Sequence, residues 1–178
     1  MSQGKGFSLW LVPDANQPPY CLLKTLINEL STVYQTPQFI PHVTLLNDVE
    51  TVESIIREKS AILANRLEGL VIQLGELGSN GIYFQQLFSQ VSLSEPLRQA
   101  RLAAEQLFEV NRPPYFPHSS LAYGHLTTEE VATLEDRVRL GQPDIASLSF
   151  PVAALAVWST NGPIDQWYEV ARFPVSQP

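Results

Sequence analysis

The chain has little of what would tie it to a disulfide framework, a metal cage or a nucleic-acid backbone. Cysteine occurs once, at Cys21. A lone thiol forms no intrachain disulfide and brings no second thiolate to a zinc site, so a reducing compartment is expected, with Cys21 half-buried near a helix start. No run of Lys or Arg offsets the net charge of −7, which argues against DNA or long RNA as a partner and leaves room for a small anion in a local pocket. The longest apolar run near the start, "FSLWLV", is too short for a signal-peptide core or a membrane span, so a cytoplasmic location is expected. No Gly-x-Ser-x-Gly elbow frames Ser119 or Ser120, no H-E-x-x-H is present, and no Gly-rich phosphate loop precedes a helix. These gaps remove the common nucleophilic-triad, zinc-hydrolase and nucleoside-triphosphate readings. No cofactor or metal is expected.

What is there is a repeated phrase. "PHVTLL" at 41–46 returns as "PHSSLAYG" at 117–124. Each copy places a hydroxyl two residues after a histidine, a spacing that turns both side chains to one face of a strand. The third histidine also has Thr at plus two, in "GHLTTEE", but His125 follows a glycine and Thr127 is spaced as a helix cap, so His125 is expected to be an exposed strand-end residue. His42 and His118 both follow Pro and both precede Leu at plus three. The pairs His42 with Thr44 and His118 with Ser120 are therefore the candidate site.

The surrounding pattern is mixed. "FSLWLV" predicts a strand and "YCLLKTLINELSTVY" a helix with Leu22, Leu23, Leu26, Ile27, Leu30 and Val33 inward. "HVTLL" is a strand, followed by a helix whose Val52, Ile55, Ile56, Ile62 and Leu63 form an apolar stripe. "LVIQLGEL" and "IYFQQLFSQVSL" read as a hairpin about "GSNG". Ser94 caps a helix to about Val110, with Leu97, Leu102, Leu107 and Phe108 inward, and the loop "NRPPYFP" delivers "HSSLAYG" as a strand. Thr127 and Glu130 have capping-box spacing for a helix carrying Val131, Leu134 and Val138. "SLSFPVAALAVW" and "QWYEVARFPV" close the chain as strands. Residues 1–178 are expected to form one α+β domain of two similar lobes, each with an antiparallel sheet and two helices, related by a pseudo-two-fold axis about a central cleft. Each half writes helix, His-strand, helix, then strands, which suggests a duplicated lobe. No heptad or long apolar patch demands a partner, and a monomer is the default.

Two imidazoles and two hydroxyls across a cleft suit metal-free phosphodiester hydrolysis. One neutral histidine deprotonates water, one protonated histidine supplies the leaving oxygen, and Thr44 and Ser120 bind the non-bridging oxygens.

At these residues the sequence resembles the two-histidine phosphoesterase superfamily, and within it the cyclic phosphodiesterases. The likeness runs through "WLVPD", "FIPHVTLL", "GIYFQQLF", "YFPHSSLAYG" and "WYEVARF". It implies hydrolysis of small cyclic phosphates, namely ADP-ribose 1″,2″-cyclic phosphate and nucleoside 2′,3′-cyclic phosphates, without a metal. It implies His42 and His118 as the catalytic pair, Thr44 and Ser120 as phosphate binders, Tyr123 as a phenol near the phosphate, and Trp10 and Phe84 beside the site. By the same likeness His118 activates water and His42 protonates the leaving oxygen. Two alternatives stay open: the RNA ligase-like branch, acting on RNA 2′,3′-cyclic ends or 2′,5′ linkages and disfavoured by the acidic charge, and a non-catalytic nucleotide-binding domain.

Overall fold

A computed structural model of the chain describes residues 5–177. The element order is β1 (Phe7–Val12), α1 (Pro18–Tyr34), β2 (Val43–Val49), α2 (Glu53–Ala64), β3 (Val71–Gly78), β4 (Leu87–Val91), α3 (Glu95–Phe108), β5 (His118–Ala122), α4 (Thr128–Gly141), β6 (Ser149–Pro151), β7 (Ala154–Ser159) and β8 (Tyr168–Pro174). The strands make two four-stranded antiparallel sheets, ordered β2-β1-β7-β8 and β5-β4-β3-β6. This is an α+β fold in which each His-motif strand is the edge of its own sheet.

The lobes are not the two halves of the sequence. β3 belongs by order to the first half yet pairs with β4 and β6, while β7 from the second half pairs with β1. The helices exchange as well: α1 lies against β5, whereas α3 lies against β2 and α2. Each lobe is thus completed by elements of the other half, and separating the halves would leave two broken sheets. The apolar core runs continuously through both, from Leu9, Leu11 and Leu45 to Ile72, Leu121 and Leu155, all fully buried.

Local signals are obeyed where they are short-range. Ser94 accepts a hydrogen bond from the Leu97 amide at 3.4 Å, and Thr127 with Glu130 closes a reciprocal capping box that satisfies two amides otherwise left open at the helix start. Several expected inward residues are exposed instead. On α2 only Ile56 and Leu63 of the apolar stripe are buried, because that helix rests on β7 and β8 through a narrow line of Ile56, Ser60, Leu63 and Ala64, while Val52, Ile55 and Ile62 face out. On α3 Leu102 is exposed and Ala100, Arg101 and Ala104 take the inner face, since close approach to α2 and β2 suits small residues. Val33 and Cys21 on α1 are exposed too.

Two strand expectations change. The segment "IYFQ" is not strand: Tyr83–Gln85 form a short 3-10 turn and β4 begins at Leu87, so β3 and β4 are joined by a loop longer than "GSNG". "SLSFPVAALAVW" is two strands in different sheets, broken at Val152–Ala153 where the chain crosses from one lobe to the other.

Candidate active site

Proline shapes both motifs. The residue before a proline is held extended, and here Ile40 and Phe116 precede Pro41 and Pro117. Their carbonyls lie 2.7 Å from Nδ1 of His42 and 3.0 Å from Nδ1 of His118. A carbonyl only accepts, so Nδ1 carries the proton in each ring and Nε2 is left to meet a ligand. One backbone device, used twice, fixes both tautomers.

The two edge strands approach across the lobe boundary. Between them lies a cleft of about 600 Å³, within the range that holds a nucleotide-sized ligand. Trp10, His42, Thr44, Phe84, His118, Ser120 and Tyr123 all line it. His125, by contrast, is exposed and meets only the edge of Tyr83. Strand register carries the pseudo-symmetry into the site. Trp10 on β1 stands opposite Thr44, and Phe88 on β4 stands opposite Ser120. Behind this wall Ser120 Oγ gives its proton to the Phe84 carbonyl at 3.2 Å, and Tyr115 donates to the backbone carbonyl of Thr44 at 2.8 Å.

Surroundings then separate the two histidines. His42 is 4% exposed, with the Trp10 indole stacked flat on its ring at 3.8 Å and the edge of Phe39 at 6.1 Å. The Tyr123 hydroxyl lies 3.5 Å from its Nε2, at the limit of a hydrogen bond. Burial pushes the His42 imidazole down to about 4, opposed by its bond to Ile40 and helped by the like-charging His118. His118 is only partly buried, beside Phe88 at 5.2 Å and Phe116 at 5.4 Å, and burial lowers it too, against the bond to Phe116. Burial also raises the Tyr123 phenol well above its ordinary range, against a hydrogen bond with Ser120, so it stays protonated and can donate.

A phosphodiester between two Nε2 atoms, with hydroxyl donors on both walls, is what this geometry can hold. The family model described as cyclic phosphodiesterase-like protein matches residues 5–175. The chain belongs to the cyclic phosphodiesterase-like family. As a member of that family it is similar to the cyclic phosphodiesterase of Arabidopsis thaliana, 24% identical over 93% of this chain and 92% of that one. It is also similar to the 2′,3′-cyclic-nucleotide 3′-phosphodiesterase of Yarrowia lipolytica, 25% identical over 91% of this chain and 96% of the relative. In fold it matches E. coli LigT, with a TM-score of 0.58 at 11% identity, covering 99% of this chain and 100% of LigT. The resemblance to the cyclic phosphodiesterases therefore stands in sequence, and the likeness to LigT in fold.

Four residues lining the cyclic phosphodiesterase-like cleft, and one packed beside His118, escaped the sequence reading. Phe88 is the pseudo-symmetric partner of Trp10, a relation visible only in strand register. Trp167 stacks with Phe84 at 5.6 Å and comes from the far end of the chain. Arg101, Arg112 and Tyr115 line the cleft as well. The loop "NRPPYFP" contains two of them, and its position just before the second motif was the only signal available.

Proposed function

We propose that the chain hydrolyses small cyclic phosphodiesters, ADP-ribose 1″,2″-cyclic phosphate and nucleoside 2′,3′-cyclic phosphates, to phosphomonoesters through acid-base catalysis by His42 and His118. The observation that carries this reading is the pair of Nδ1-anchored imidazoles facing one cleft from the edges of two sheets. Both named relatives are cyclic phosphodiesterases, and LigT has been crystallised with 3′-AMP.

In this reaction one Nε2 takes a proton from water as its oxygen bonds to phosphorus. The opposite P–O bond breaks, and the other Nε2–H gives its proton to the departing sugar oxygen. The two imidazoles end with exchanged protonation. Thr44 and Ser120 donate to the non-bridging oxygens, the Ser120 hydroxyl turning from the Phe84 carbonyl to do so, and Tyr123 adds a third donor on the His42 side.

The family resemblance places the base at His118 and the acid at His42. Burial makes His42 the costlier of the two to protonate, so that order requires the substrate's phosphate anion to lift it, with the indole face of Trp10 favouring the cationic ring.

The test is turnover of both substrates in EDTA, with products identified by phosphorus NMR. Release of phosphomonoester from either is expected, and the relatives' names make the 3′ ester bond the first to look for. Inactivity on both overturns the reading. A nitrophenyl phosphodiester, whose leaving group needs no proton, allots the roles: the acid variant keeps activity on it and the base variant does not.

A further inference from the structure

The cleft has a second end that phosphoryl transfer at the histidines does not use. Two full cations line the cavity, Arg101 and Arg112. Arg101 is spoken for. It is 7% exposed, pairs with Glu105 at 2.7 Å, donates to the Leu45 carbonyl and lies over the Tyr115 ring at 4.9 Å.

Arg112 is in a different state. Its Nη2 donates to the carbonyls of Asn47 at 3.2 Å and Asp48 at 2.7 Å, which fixes the guanidinium at the end of β2. Its Nε is buried and has no hydrogen-bond partner among the described residues. It enters none of the ion pairs found among them. The neighbouring Asp48 carboxylate is turned to the Lys5 amide and the Asn47 side chain. A buried, unsatisfied N–H on an uncompensated cation is costly and is relieved by an anion. In a chain of net charge −7 such a cation is also conspicuous.

Its distance decides which anion. The tethering carbonyls are three and four residues beyond Thr44, which at ~3.3 Å per strand residue is roughly 10 Å or more from the hydroxyl assigned to the reacting phosphate. One phosphate does not span that gap, whereas a cyclic phosphate and a further phosphate or pyrophosphate on the opposite side of the same sugar do.

We propose that Arg112 forms a second anion subsite that selects cyclic phosphates carrying a further phosphate group, either a pyrophosphate or a terminal phosphate on the far side of the sugar. The inference rests on the cyclic phosphodiesterase reading for the first subsite. Arg112 is a specificity determinant here, because its charge meets the remote group and not the reacting atoms.

The test is calorimetric binding of adenosine 2′-monophosphate and adenosine 2′,5′-bisphosphate to wild type, Arg112→Gln and Arg112→Lys. Alongside it, kcat/KM is measured for adenosine 2′,3′-cyclic phosphate with and without a 5′-phosphate. Wild type is expected to prefer the doubly phosphorylated member of each pair by roughly tenfold or more, the strength of one charge-assisted hydrogen-bonded contact. Arg112→Gln should erase that preference while leaving the singly phosphorylated ligand within about twofold, and Arg112→Lys should keep part of it. A preference equal in wild type and Arg112→Gln overturns the proposal. So does equal weakening of both ligands, which would place Arg112 at the reacting phosphate or in the fold. If wild type keeps the bisphosphate preference yet turns over no cyclic phosphate, the hydrolytic reading fails and the subsite stands.

Discussion

Nδ1 of His42 is fixed by the carbonyl two residues back, and so is Nδ1 of His118, yet the two rings live in different media. His42 is sealed under the Trp10 indole and the Tyr123 phenol; His118 keeps solvent on one side beside Phe116, itself exposed. The aromatic opposite the motif hydroxyl differs as well. Trp10 lies parallel to His42 at an interplanar angle of 11°, while Phe88 meets His118 at 57°. Gly78 on the neighbouring strand lets the Phe88 ring lie back there, since a Cβ at that position would come within 2.9 Å of it. The backbone device is shared and the cover is not: the tautomer is common to both rings, and the proton affinity is set separately on each side.

Removing either member is the largest way to break the comparison. His42→Ala and His118→Ala should each lower kcat by ~10² to 10⁴-fold with folding retained by circular dichroism. Near-full activity in either variant would end the paired assignment.

Stability against pH sharpens the contrast without needing a substrate. His42 folds with its imidazole at about 4, below the ordinary value of 6.5, so between those limits the unfolded chain binds more protons and stability falls as pH falls. The expected loss attributable to His42 is about 3 kcal/mol across that window, to be read as the difference between wild type and His42→Asn in urea melts. His118→Asn should flatten the same profile less. An equal flattening would show the two surroundings to be alike.

The hydroxyls come next. Thr44→Val and Ser120→Ala each remove one donor to a charged oxygen, worth ~10-fold or somewhat more in kcat/KM. The smallest effect is expected from the flat indole: Trp10→Phe should cost ~2 to 5-fold in kcat, read from initial rates, as a weaker face meets a cationic ring.

Much of the site was legible because its grammar is local. His-x-Thr and His-x-Ser place two groups on one face by strand period alone, while the carbonyl lock behind each Pro came to light only in the structure. Ser94, Thr127 and Glu130 announced helix starts for the same reason: a cap is decided within three residues. The inward faces of α2 and α3 were overdrawn, because an apolar residue at the right period says what could be buried and not how wide the neighbouring surface is. Ile55, Ile62 and Leu102 had the period and lacked the partner.

The sequence by itself determined the chemistry on offer: two imidazoles, two hydroxyls, their faces and the α+β elements that carry them. Tertiary structure alone decided that β3 and β7 change lobes, that Trp10 and Phe88 stand in equivalent places, that His42 is drier than His118, and that Arg112 is pinned to the end of β2 with a buried, unpartnered N–H. Each of these depends on which distant segments come to lie against each other. That outcome is set by the sum of burial over the whole core, and no window of a few residues contains it.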